Sequence, residues 1–101
     1  MDLFEIDALA QFSADRPLKT VFFESPGVKA QVLGLEPGQS IPPCRMDHDV
    51  VFFVVEGEGR MTVDEETRPL RKSSWVFVPK EKDTRSLIAE TRMTVMAIQV
   101  R

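Results

Sequence analysis

The side chains that could do chemistry in this chain are few. Among 101 residues there is one histidine, one cysteine and no tyrosine. The histidine, His48, lies between Asp47 and Asp49, and an imidazole flanked by carboxylates could serve as a general acid or an anion contact. Side chains alternate between the two faces of an extended chain, so His48 would share a face with Met46 and Cys44. The plainer alternative makes Asp47-His48-Asp49 a polar turn with the ring in water. Cys44 follows Pro42-Pro43. A nucleophilic or redox-sensitive thiol needs a base or positive charge beside it to form thiolate. Arg45 is adjacent but belongs to the opposite face. His48 could reach Cys44, yet no third group is placed to orient it, and an inert buried thiol is the simpler expectation.

Other compositional features close off whole classes of function. Thirteen Lys plus Arg against sixteen Asp plus Glu give a net charge of -3, with the basic residues scattered among acids. This argues against nucleic acid or an anionic membrane as partner. Arg68, Arg71, Lys72, Lys80, Lys82, Arg85 and Arg92 form no dense block and are expected to decorate a solvated surface. Val50 to Val55 is the longest apolar run, far short of the roughly 20 residues that span a bilayer. The acidic start Met1-Asp2-Leu3-Phe4-Glu5 does not suit a signal peptide, so the default compartment is the cytoplasm. A lone cysteine makes neither an internal disulfide nor a paired-cysteine zinc motif. Glu56-Gly57-Glu58-Gly59 is not a phosphate loop, because its carboxylates would repel the phosphate and no helix follows.

The elements that must position these residues are strands. Leu3, Ile6, Leu9 and Phe12 recur at threes behind Asp2 and Glu5, which predicts one short helical turn capped by those acids. From Lys19 the chain breaks into short runs of Val, Phe, Thr, Ile and Leu between turn residues, the all-β pattern. Punctuation falls at Ser25-Pro26-Gly27, Glu36-Pro37-Gly38, Ile41-Pro42-Pro43, Glu56 to Gly59, Asp64-Glu65-Glu66-Thr67 and Lys80 to Asp83. Strands are expected over 20–24, 28–35, 40–45, 50–55, 60–63, 69–71, 75–78, 86–89 and 93–100. The organisation is thus an N-terminal segment (1–18) and a single β-barrel domain (19–101). Val50 to Val55 and Trp75 to Val78 are apolar on both faces, so each needs covering twice. One face fills the barrel interior; a second copy of the chain, or else the segment up to Phe12, covers the other.

The run Pro37-Gly38-Gln39-Ser40-Ile41-Pro42-Pro43, continued by Val51-Phe52-Phe53-Val54-Val55-Glu56-Gly57-Glu58-Gly59, resembles the first motif of the cupin superfamily. Ser73-Ser74-Trp75-Val76-Phe77-Val78-Pro79 resembles the second. The resemblance implies a jelly-roll barrel of two antiparallel sheets, often dimeric, with its site in the barrel mouth. It also implies where a metal would be held. Counted from Gly38 and Pro79, the family's three histidine positions and one glutamate position are occupied by Cys44, Met46, Thr84 and Val50. Three or more imidazole or carboxylate donors are needed for iron, manganese, nickel or zinc, so neither a metal nor another cofactor is expected. Ser73, Ser74 and Glu81 stand where the family has glycine, aspartate and glycine, which predicts altered turns at the rim. The barrel mouth, by the same resemblance, is lined by Cys44, Met46, His48, Val50, Phe52 and Thr84.

Three functional expectations follow. The first is a metal-free barrel that binds a small, partly apolar molecule, as a sensing or accessory homodimer without catalysis. The second is an enzyme, with an unorthodox metal site from Cys44, His48 and Asp47 or Asp49, or with His48 and a carboxylate doing isomerase-like chemistry. The third is a dimerisation module whose interior is packed shut.

Overall fold

Branched and aromatic side chains fit the pleated, half-buried surface of a sheet, and the runs rich in them all form strands. A computed structural model describes residues 1–101 as one helical turn and nine strands. In chain order these are α1 (Ile6–Leu9), β1 (Leu18–Glu24), β2 (Val28–Leu35), β3 (Ser40–Cys44), β4 (Asp49–Glu56), β5 (Gly59–Val63), β6 (Glu66–Leu70), β7 (Trp75–Val78), β8 (Arg85–Ala89) and β9 (Met93–Val100). All pairings are antiparallel, in two sheets ordered β1-β2-β9-β4-β7 and β3-β8-β5-β6. No helix is long and apolar enough to cross a membrane.

Period-2 alternation fills the space between the sheets. On β4, Val50, Phe52 and Val54 are buried, whereas Val51, Phe53 and Val55 face outward and are half-covered. Leu35, Val50, Val54, Met93 and Val95 form the driest part of this core, joined across the sandwich by Met61, Leu70, Leu87 and Ala89.

The outer face of the five-stranded sheet is covered in part by the N-terminal segment. Gly34 faces outward on β2, and a Cβ there would strike the backbone of Gln11, so only glycine lets the segment lie flat on the strand. Three contacts pin it. The Arg92 guanidinium lies 3.6 Å from the centroid of the Phe12 ring and is also paired with Glu36 at 3.0 Å. Gln39 Nε2 donates to the Ser13 carbonyl at 2.7 Å. Phe4 meets Phe22 of β1 edge to face, with centroids 5.1 Å apart. Arg92 is therefore a fastening, not the surface decoration expected of it. Coverage stops short of β7, where Trp75 is 61% and Phe77 49% exposed.

Several local expectations are corrected. Glu5 stands at the N-cap of the helical turn, but no side chain caps it. β6 starts at Glu66, three residues before the expected Pro69, because the preceding turn needs only Asp64 and Glu65. Asp64 adopts the left-handed region at φ 51°, and its carboxylate accepts from the Asp83 and Thr84 backbone N–H groups at 3.0 and 2.9 Å. Pro42 and Pro43 do not break β3, since it is an edge strand whose outer N–H groups have no partner to lose. The rim turn before β7 keeps a glycine-like conformation although a serine occupies it. Ser73 holds φ 73°, and Ser74 Oγ accepts from the Arg71 N–H at 3.0 Å, as an aspartate could.

Gly34→Ala should lift the N-terminal segment while the barrel stays folded. We expect stability to fall by roughly 1–3 kcal/mol, the usual cost of forcing backbone apart, and limited proteolysis to cut ahead of β1; unchanged protection of that segment would contradict the packing described.

Candidate functional site

The strands that close the core also leave a hole in it. Between the sheets lies a cavity of about 240 Å³, larger than the roughly 150 Å³ engineered apolar cavity that accepts benzene. Register explains its walls. Lys19 and Val21 of β1 stand opposite Leu33 and Gln31 of β2, and Lys29 stands opposite Gln99 of β9. All six line the cavity together with Phe52 of β4. The facing sheet contributes Ile41 and Cys44 of β3, Met61 of β5 and Arg85, Ser86 and Leu87 of β8, with Met46 just past the end of β3.

Apolar groups cover much of this wall, and its polar groups share one character. Lys19, Lys29 and Arg85 are cationic, and no aspartate or glutamate lines the cavity. None of the three takes part in a salt bridge. Arg85 is half-buried, pairs in register with Cys44, and sets its guanidinium 5.1 Å from the centroid of the Phe52 ring. Burial lowers its pKa from the ordinary value, opposed in part by the coulombic effect of Cys44. Arginine nonetheless stays charged near neutral pH. Gln31 is only 9% exposed, and its amide is not sealed in the core without a partner, so it opens on the cavity.

The residues singled out from the sequence fall into three places. Cys44, Met46 and Phe52 line the cavity. His48 and Thr84 do not; with Cys44, Met46 and Arg85 they edge a separate crevice of about 10 Å³. Val50 is 1% exposed and belongs to the closed core, because the inward alternation of β4 turns it into the packed apolar cluster. Asp49 Oδ1 accepts the Lys80 backbone N–H at 2.8 Å, which ties the loop after β7 to the start of β4. Sequence reasoning missed Lys19, Lys29, Gln31 and Gln99, and it sent Arg85 to the solvated surface; no sequence signal marked them, since polar types at alternate strand positions ordinarily indicate a solvent face.

A metal does not fit the four positions at which the family resemblance would place its ligands. They offer a thiol, a thioether, a buried isopropyl group and an exposed hydroxyl, which is not a donor set for a first-row metal. Nowhere else do three or more His, Cys, Asp or Glu side chains gather as ligands.

Comparison with known proteins adds to this picture. No family model matches the sequence. An uncharacterized protein of Aquifex aeolicus (strain VF5) is 30% identical over 57 residues, covering 56% of this chain and 46% of that protein; the match thus spans about half the length of that relative. Among solved structures, a protein from Thermus thermophilus superimposes with a TM-score of 0.91 at 21% identity, covering 99% of this chain and 97% of that one. An RmlC-like cupin protein from Desulfovibrio desulfuricans gives a TM-score of 0.90 at 20% identity, covering 99% and 96%. At such identities the likeness speaks for the architecture, and it agrees with the strand order and the two motifs: this chain has the cupin fold, a jelly-roll barrel of two antiparallel sheets.

Proposed function

We propose that this chain is a metal-free, non-catalytic cupin-fold protein that binds a small, partly apolar molecule in its barrel cavity, in a sensing or accessory role, as a cytoplasmic homodimer. The cavity itself carries this reading. It is walled by Ile41, Met46, Phe52, Met61 and Leu87 with a few polar groups among them, the usual make-up of a small-molecule pocket. A barrel that served only to dimerise would have no use for that volume. An enzyme built on Cys44 and His48 draws less support, since the two meet at a crevice of about 10 Å³ that leaves no room for a substrate between them.

The dimer rests on the outer face of β4 and β7. Phe53 stands opposite Trp75 and Val51 opposite Phe77, so the exposed aromatics continue an apolar strip that the N-terminal segment leaves bare. Contiguous apolar surface of this kind marks an interface, and a second copy brings the same strip to cover it. The lone half-buried cysteine suits a reducing compartment.

Three measurements check these statements. In protein labelled at its methionine methyls, titration with benzyl alcohol should shift Met46 and Met61, which line the cavity, and leave the fully buried Met93 in place; a flat response at Met46 and Met61 would remove the pocket. Purified without chelators, the protein should carry transition metal far below stoichiometry by plasma mass spectrometry, and a full complement of iron, manganese, nickel or zinc would overturn the metal-free assignment. Light scattering should give twice the 11.5 kDa chain mass, falling to the single mass in Trp75→Lys/Phe77→Lys with the β circular dichroism unchanged. A wild-type monomer at high concentration would remove the dimer.

A further inference from the structure

The cavity is chemically one-sided in a protein whose overall charge is of the opposite sign. The chain carries -3, yet every ionic side chain on the cavity wall apart from the Cys44 thiol is a cation, and no carboxylate faces them. Arg85 is the telling one. It is half-buried and has no salt-bridge partner, resting instead against the Phe52 ring. A cation withdrawn from water without a counter-charge is costly to fold around, and such sites are commonly ones where stability has been given up for function.

A second observation points the same way independently. Gln31 is nine-tenths buried, lies among the cavity-lining residues and makes no side-chain bond within the protein, so its amide is open to a guest. Lys29 is two positions before it on the same face of β2, and Lys19 stands on the neighbouring strand. Lys19 is exposed, and its charge contributes more to attracting a ligand than to holding one.

We propose that the guest is a small organic monocarboxylate with an apolar body, its carboxylate taken by the Arg85 guanidinium with Gln31 and Lys29 beside it. This rests on the small-molecule reading above and gives it a substrate class. A planar guanidinium fork matches a carboxylate with two parallel bonds. The apolar body follows from the rest of the wall, since inorganic phosphate would satisfy the cations but leave Ile41, Met61 and Leu87 against water. The size follows from the 240 Å³ available, enough for a single ring with its head group.

Benzoate and benzyl alcohol differ chiefly in the charged head, so the same methionine-methyl titration separates the two proposals. Benzoate should bind at least about tenfold more tightly than benzyl alcohol at low ionic strength, the least that one charge-assisted hydrogen bond adds. Arg85→Met should remove most of the advantage of benzoate over benzyl alcohol, and should keep or raise the melting temperature, because it removes a desolvated charge. Lys29→Met, at a less central position, should weaken benzoate several-fold and guards against misfolding of the first variant. Equal binding of the two probes, both shifting Met46 and Met61, would overturn the anion class and leave the pocket standing; no shift by either would sink both. Inorganic phosphate displacing benzoate at lower concentration than benzoate itself binds would overturn the carboxylate assignment.

Discussion

A sheet that is apolar on both faces must be covered on both, and the five-stranded sheet of this protein depends on how that is done. Ala30, Val32 and Gly34 alternate onto its outer side, and the N-terminal segment can lie on β2 at Gly34 only because that position has no side chain. With that face sealed from outside, the alternate positions Lys29, Gln31 and Leu33 are turned between the sheets. The polarity is thus reversed from that of a simple sandwich, where polar residues of a strand face water. A cavity lined by cations is the consequence at the end of the barrel where the core residues run out.

The same constraint organises the remaining surface. The segment is fastened over β2 and β9 by Arg92 and Gln39, while α1 reaches as far as β4. Beyond it Trp75 and Phe77 of β7 stay exposed. Covering by the chain's own N-terminus therefore accounts for only part of the sheet, and the proposed second copy would account for the rest. Within the barrel, Arg85 occupies a position that the core could have filled with an apolar side chain. Its retention, next to Phe52 and Cys44, sets the electrostatic character of the whole cavity.

The architecture was largely legible in the sequence because strand periodicity and turn chemistry are local. Glu36-Pro37-Gly38 and Ser25-Pro26-Gly27 end strands where they stand, and the two glycine–proline motifs order them. What escaped was settled by distant contacts. Asp64 makes a turn of two residues by bonding to amides nineteen and twenty positions away, and Pro42-Pro43 is tolerated in a strand by virtue of its edge position. The site was harder to read for a related reason. Cys44, Met46 and Phe52 could be placed near the cavity from alternation and resemblance, whereas Lys29, Gln31 and Arg85 carry polar types that in a lone sequence indicate solvent. Only the position of the N-terminal segment shows that the polar face of β2 looks inward.

Whether a guest occupies the space beside Arg85 is open to direct observation. A crystal structure of the protein isolated from its own cells with nothing added tests this most directly, supported by native mass measurement of the same material. We expect organic density between Phe52, Leu87 and Gln31 with a planar head group against the Arg85 guanidinium, and a matching mass released on unfolding. A cavity collapsed by Met46 and Met61, with Arg85 swung out to solvent or paired with a carboxylate of the protein, would contradict it.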